Sequence, residues 1–324
     1  MTPTILTEQI TGPRAWKRDG LRPADWLVEL PDDGVAELDG VVERLRRSPR
    51  AVETLAPEEF KLAECTRVMA EVRRRLGEIG LAVVDRVPVE RYSVAENQAV
   101  GWLLASMLGP IVAQTWAGRR LYDVKDTGQQ LGYGVRRSVT DLGQPFHTDA
   151  GWLWMPPAFV GLFCLESAPA GGLSRFVSLV TAHNEMARRF PELLPRLYRT
   201  FAWDRQAEHG PDAPPFARRP VYEYANGTLL ARYYEDYIHN GQRLAGEPLD
   251  DAGREALVAL RSIVDDPSHW VEFRIERGQL QYINNREFAH SRTAFKDAPD
   301  GSQRRHMIRL WNRSEGTLDL DGGV

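Results

Sequence analysis

The chain has 324 residues with 41 Lys+Arg against 45 Asp+Glu, and its net charge of −4 excludes the basic stripe of a nucleic-acid or anionic-membrane binder. Hydrophobic residues at 43% and charged residues at 27% describe an ordinary globular protein, long enough to bury a substantial core. Two cysteines, Cys65 and Cys164, exclude a disulfide framework and an all-cysteine zinc site; seven histidines remain as the scarce groups for metal or proton chemistry near pH 7.

The start, Met1 to Gly20, is polar, is broken by Pro3 and Pro13, and lacks the apolar run of a signal peptide. A first helix is expected where Val35, Leu38, Val42 and Leu45 recur after Asp32-Asp33, which suit an N-cap. Leu62, Val68, Met69, Val72, Leu76 and Ile79 make a second stripe, stopped by Gly80. Leu81 to Val84 reads as a buried strand, and Ser93-x-x-Glu96 as a capping box opening a third helix through Met107. No stretch approaches the ~20 apolar residues of a membrane span. The longest candidate, Ala99 to Ala113, is interrupted at Pro110, so a cytoplasmic protein without a membrane partner is expected.

From about Trp116 short β-like runs take over: Leu131 to Thr140, Phe159 to Leu165, Arg175 to Val180, Val221 to Tyr224, Leu229 to Tyr234, Val271 to Ile275, Gln279 to Ile283 and His306 to Trp311. Helices are expected at Ala182 to Arg189 and from Asp250 to Val264. Many short strands with turn signals imply a sandwich or jelly roll rather than βαβ units. No linker divides the chain. We therefore expect one catalytic domain, residues 1–324, mainly β with helices: a helical N-terminal layer over 1–80 and a β core with helical insertions over 81–315.

The sharpest local feature is Phe146-His147-Thr148-Asp149-Ala150-Gly151. On a strand, residues i and i+2 share a face, so His147 and Asp149 can aim at one point while Thr148 faces away. Alone, such a pair also fits a surface strand with a capping Asp. A second feature is Asn284 to His290, following the alternating Gln279 to Ile283. In the third, Arg304 to Trp311, Arg305 and Arg309 share a strand face, a pattern equally found on exposed edges. Combined, two histidines and one carboxylate supply a facial triad for non-haem Fe(II). That triad leaves positions for a 2-oxo acid chelate and O2, and an arginine about fifteen residues beyond the distal histidine suits the far carboxylate.

These motifs, with Gly171-Gly172-Leu173-Ser174 and the ending Ala289-His290-Ser291-Arg292-Thr293-Ala294-Phe295, resemble the TauD/TfdA family of Fe(II)/2-oxoglutarate dioxygenases, including its clavaminate-synthase-like branch. The resemblance spans roughly residues 80–315 and implies a double-stranded β-helix (jelly-roll) core. It implies His147, Asp149 and His290 as iron ligands, and Arg305 with Ser174 as the holders of the 2-oxoglutarate distal carboxylate. Ser174 stands where the family has Thr, keeping the hydroxyl and losing the methyl. Arg309 matches a position that meets a substrate anion in the taurine branch; a packed arginine stem is the other reading. Because Asp149 keeps the carboxylate that related halogenases lack, oxygenation or another oxidative outcome (desaturation, epoxidation or ring closure) is expected.

Further substrate-binding candidates are Gln129, Tyr133 and Arg136, then Trp152 with Trp154, and Tyr233 in the cluster Arg232-Tyr233-Tyr234. His183, His209, His239, His269 and His306 have no partner pattern and read as structural or exposed. The expected activity is hydroxylation of an unactivated C–H of a small polar metabolite, an amino-acid- or peptide-derived intermediate of natural-product biosynthesis. Alkylsulfonate catabolism, a non-redox metal-binding jelly roll and a zinc hydrolase are the alternatives; the last two need no carboxylate-binding arginine. The partner is then a small molecule, and the chain leaves room for a homo-oligomer.

Overall fold

The computed structural model describes residues 4–323; residues 1–3, where the polar N-terminal segment begins, and 324 lie outside the described residues. The apolar stripes form helices α1 (Asp32–Arg47), α2 (Ala63–Glu78) and α3 (Val94–Ser106). Asp32 and Asp33 lie inside the first turn of α1 and Pro31 takes the cap, so they act on the helix dipole rather than as N-caps. The Ser93/Glu96 box does form: the Ser93 N–H donates to Glu96 at 2.7 Å, and the Glu96 N–H donates to Ser93 Oγ at 3.3 Å. Gly80, at φ +74°, ends the second stripe, and a Cβ there would lie 2.0 Å from the Phe288 ring. Both the turn and that close approach require glycine.

Later helices are α4 (Leu179–Arg189), α5 (Glu235–Ala245) and α6 (Asp251–Val264). α4 begins three residues earlier than expected because Ser178 Oγ accepts from the Thr181 N–H at 3.0 Å, capping it. The run expected as a strand through Tyr234 ends at Ala231, and residues 232–234 lead instead into α5, with Glu235 and Asp236 in its first turn.

The core strands are β1 (Leu27–Glu29), β2 (Leu81–Asp85), β3 (Tyr122–Val124), β4 (Gln144–His147), β5 (Phe159–Glu166), β6 (Ser174–Ser178), β7 (Trp270–Phe273), β8 (Leu280–Asn284), β9 (Phe288–Arg292) and β10 (His306–Asn312). The larger sheet runs β1-β2-β8-β5-β10-β3, and the smaller β7-β6-β9-β4. Only the β1–β2 pair within these two sheets is parallel. They form a double-stranded β-helix core. On the outer face of the larger sheet, Phe163, Leu280, Tyr282, Ile308 and Leu310 pack with Leu38, Met69, Val72 and Leu103 of α1–α3. Each such large side chain contributes about 1.5–3 kcal/mol on burial. The helical layer is thereby fixed to the sheet that carries Arg305 and Arg309.

Leu131 to Thr140 is not a strand. It is a series of turns with a 3-10 turn at Arg137–Val139. Gly132 and Gly134 interrupt the run, and residues 131–134 are exposed with no partner strand. This segment is a loop over the open end of the core. Among the described residues, no helix is long and apolar enough to cross a membrane.

Candidate active site

Cross-strand register builds the site. On the inner face of the smaller sheet, His147 of β4 pairs with His290 of β9, which pairs with Phe176 of β6. One pleat further along, Gln144, Arg292 and Ser174 form the next row. β4 ends at His147, and the chain bends so that Ala150 takes a left-handed φ of +54°. Just before that bend, the Asp149 carboxylate lies 3.3 Å from His147 Nε2. Ligand atoms of His147, Asp149 and His290 all lie within 4.8 Å of one another, and the three residues are buried. Thr148 faces away, as expected: its N–H donates to the Tyr233 carbonyl at 2.7 Å, and its Oγ1 accepts from the Tyr233 N–H at 3.1 Å.

The donor set fits a metal ion. His147 Nδ1 lies 2.9 Å from the Pro145 carbonyl, which can only accept, so Nδ1 carries the proton and Nε2 the lone pair. The Gln144 side-chain amide lies 2.8 Å from that nitrogen. Burial pushes His290 down to about 3, keeping its imidazole neutral and able to ligate. Burial opposes the Asp149 charge, but Arg309, then the two histidines, hold its carboxyl far below the usual carboxylate range. Asp149 Oδ2 accepts from Trp311 Nε1 at 2.8 Å and from Arg309 Nη1 at 3.2 Å, which leaves Oδ1 for a metal. Asn285 fixes the backbone beneath: its Oδ1 accepts from the Asp149 N–H at 2.7 Å, and its Nδ2 donates to the Asp149 carbonyl at 3.0 Å.

At the other end of the inner chamber lies Arg305, only 2% exposed. Its Nη2 meets only the Met307 sulfur at 3.0 Å, while Nε and Nη1 have no partner among the described residues. Burial pushes it down to about 10, still cationic at neutral pH. A buried, unpartnered guanidinium is a ready anion receptor. The Gly171-Gly172 turn, at φ +71° and +68°, lets the chain pass against it: a Cβ on Gly172 would sit 3.6 Å from Arg305 Nε. Ser174 lies two residues beyond Gly172 and is buried.

A narrow cleft opens from the triad. Arg136, Trp152 and Arg309 line it, as do Ser138, Gln144, Tyr234, Tyr237 and Trp311. Arg309 donates from Nε to Gln114 Oε1 at 2.8 Å and keeps Nη2 free of partners among the described residues. Tyr234 and Tyr237 continue into an outer cavity of about 300 Å³, where Tyr133 contributes. Three expected pocket residues, Gln129, Tyr233 and Trp154, lie elsewhere. Gln129 is exposed on the loop and lines neither cavity. Tyr233 is buried in the hydrophobic core and meets the site only through its backbone on Thr148. The next residue takes the position instead: the Tyr234 ring lies 5.0 Å from that of His147. Trp154 is exposed beneath the Arg219 guanidinium. Trp311 shares strand parity with Arg305 and Arg309 and so was detectable in sequence. Gln114 and Tyr237 carried no such signal. Among the demoted histidines, His183 is fully buried and bonded to the Tyr198 hydroxyl at 2.8 Å, while His306 pairs with Asp123 at 2.6 Å.

A jelly-roll core with a buried two-histidine, one-carboxylate cluster and an inner guanidinium defines a non-haem iron oxygenase architecture. The sequence pattern described as "Taurine catabolism dioxygenase TauD, TfdA family" matches residues 46–311, and the chain belongs to that family. FR-33289 synthase of Streptomyces rubellomurinus (strain ATCC 31215) is 30% identical over 314 residues, covering 95% of this chain and 91% of the relative. Taurine hydroxylase-like protein SAT17 of Stachybotrys chartarum is 26% identical, covering 88% and 74%. Among solved structures, asparagine oxygenase with Fe(II), hydroxyasparagine and succinate superposes with a TM-score of 0.69 at 21% identity, covering 91% of this chain and 94% of that one. The non-haem iron oxygenase OrfP with Fe and α-ketoglutaric acid gives 0.64 at 16%, covering 89% and 94%. The chain is a 2-oxoglutarate-dependent non-haem iron dioxygenase.

Proposed function

We propose that this dioxygenase hydroxylates an unactivated C–H bond of a small polar metabolite, an amino-acid- or peptide-derived intermediate of natural-product biosynthesis, and that the whole chain acts as one catalytic domain. In this reading His147, Asp149 and His290 hold iron, and Arg305 with Ser174 holds the distal carboxylate of 2-oxoglutarate. Bound iron with 2-oxoglutarate and O2 supplies the oxidant for C–H cleavage, releasing succinate and carbon dioxide. The observation that carries the reading is the juxtaposition of the triad with a buried guanidinium short of partners. A metal site without a 2-oxo acid would have no use for that cation.

The protein's own residues then have distinct tasks. Pro145 fixes the His147 tautomer, while Trp311 and Arg309 restrict Asp149 to one free oxygen. Arg136, Trp152 and the unpaired Nη2 of Arg309 face a polar substrate at the cleft. Tyr234 and Tyr237 wall the cleft with ring surface and limit water entry. The relatives support the substrate class. One is named as a synthase, and solved neighbours contain hydroxyasparagine and hydroxyarginine.

The test is anaerobic titration of the protein with Fe(II) and 2-oxoglutarate, following the weak visible charge-transfer band of the chelate. Wild type shows it, His147→Ala does not, and Arg305→Ala shows it only at higher 2-oxoglutarate. Absence of the band in saturated wild type refutes the reading. Succinate release stimulated by amino-acid-like candidates, against taurine as the alkylsulfonate alternative, then assigns the substrate class.

A further inference from the structure

We propose that Arg292 is a second guanidinium of the co-substrate chamber, sharing the distal carboxylate of a 2-oxo diacid with Arg305 and linking its presence to the turn beside the substrate cleft. The proposal rests on the dioxygenase reading above and deepens it. β9 places His290 and Arg292 two residues apart, hence on one face, with Arg292 directly opposite Ser174. Arg292 therefore lies on the inner face one pleat beyond the metal row, level with the Ser174 hydroxyl expected to meet the carboxylate. Arg305 reaches the same place from the opposite sheet. The two guanidiniums rest on one ring, Phe295, with their central carbons 4.9 and 5.2 Å from its centroid.

Among the described residues no carboxylate is hydrogen-bonded to either guanidinium; Asp141 near Arg292 and Asp297 near Arg305 act only at longer range. Arg292 is 8% exposed with Nε unpartnered among the described residues, and Arg305 lacks partners at Nε and Nη1. The nearby Asp297 carboxylate is engaged elsewhere, with Arg304 at 3.7 Å and the Arg305 backbone N–H at 2.8 Å. Two buried like charges on one ring are costly until an anion joins them. One carboxylate offers two oxygens with about four lone-pair sites, enough to accept from all three free nitrogens.

The other edge of Arg292 is spent on the protein. Its Nη2 donates to the carbonyls of Thr140 at 3.0 Å, Leu142, and Arg137 at 3.5 Å. These belong to the turn that carries Ser138, a lining residue of the cleft. A planar guanidinium holding an anion at Nε and three carbonyls at Nη2 orders this turn when the co-substrate arrives. The chamber accordingly favours a diacid over a monoacid and prepares the cleft before substrate enters.

The experiment compares wild type, Arg292→Gln, Arg292→Lys and Arg305→Gln. Each is loaded anaerobically with Fe(II) and titrated with 2-oxoglutarate and with 2-oxobutyrate, which lacks the distal carboxylate. Arg292→Gln raises the half-saturating 2-oxoglutarate by about tenfold or more, the loss of a charge-assisted hydrogen bond, and leaves 2-oxobutyrate unchanged. Arg292→Lys recovers part of the difference. Hydrogen exchange at residues 137–142 slows with 2-oxoglutarate in wild type and not in Arg292→Gln. Equal weakening of both acids assigns Arg292 to bracing the turn alone and overturns the proposal, as does no weakening of either. Loss of diacid preference in Arg305→Gln but not in Arg292→Gln overturns it while leaving the dioxygenase reading intact. No band in wild type with either acid overturns both.

Discussion

At the triad end, Asp149 is buried and charged but paired, with Arg309 and Trp311 on Oδ2 and Asn285 bracing its backbone. At the far end, Arg305 and Arg292 are equally buried and charged, yet three of their nitrogens have no partner among the described residues. The first arrangement is preorganised at two of its three ligands: the Pro145 carbonyl holds His147 Nδ1, and Arg309 with Trp311 holds Asp149 Oδ2, before any ion arrives. The second is held under electrostatic tension and gains stability only when an anion binds. Preorganisation suits a metal that stays, and uncompensated charge suits a diacid consumed at every turnover.

Breaking the triad is the most severe test. His290→Ala removes one of three ligands, and turnover falls by roughly 10³-fold or more with iron lost from the site, as checked by metal content after desalting. At the cationic end, Arg305→Gln raises the 2-oxoglutarate KM by roughly 100-fold with a smaller change in kcat, measured by succinate release. Trp311→Phe acts on the preorganised end through one hydrogen bond. Iron affinity drops about 10- to 100-fold while the 2-oxoglutarate requirement at saturating iron stays near wild type.

Stability separates the two ends with opposite signs. Arg305→Met removes an uncompensated buried cation, so the ligand-free protein gains about 1 kcal/mol in denaturant unfolding. Arg309→Met leaves Asp149 without its cation and destabilises by about 3 kcal/mol or more. The smallest effect lies remote from both ends. Burial pushes His183 down to about 4, below its ordinary value of 6.5, so the folded state binds fewer protons than the unfolded state between those values. Stability is therefore full above about pH 6.5 and declines as pH falls toward 4. Between pH 7 and 6 the loss is under about 1 kcal/mol. Urea unfolding of His183→Phe at both pH values should show a flatter dependence than wild type.

Much of this arrangement was legible in the residue order, for identifiable reasons. Strand runs such as Phe159 to Leu165 and His306 to Trp311 announce themselves by alternation, because burial on a pleated surface selects every second side chain. His147 and Asp149 were readable as a pair for the same reason. Leu131 to Thr140 misled because its apolar and β-branched residues face an open cleft rather than a partner strand, a distinction made only by what lies across from them. Helix α5 has only a short apolar stripe, Tyr237, Ile238 and Leu244, directly after the Leu229 to Tyr234 run that reads as a strand; it packs against the Phe201–Asp204 strand.

Residue order alone determined the kinds of side chain available, the strand periodicity that put His147 and Arg309 on inward faces, and the spacing of the four motifs. Tertiary structure decided the rest. Register set Arg292 opposite Ser174, the segment after β4 set Asp149 beside His147, and Gln114 came from a distant loop to fix Arg309. It also assigned Tyr234 rather than Tyr233 to the cleft. The physical reason is that periodicity along one strand tells which way a side chain points. Whether it meets a partner, a cavity or another charge depends on the strand, sheet or loop that folds against it.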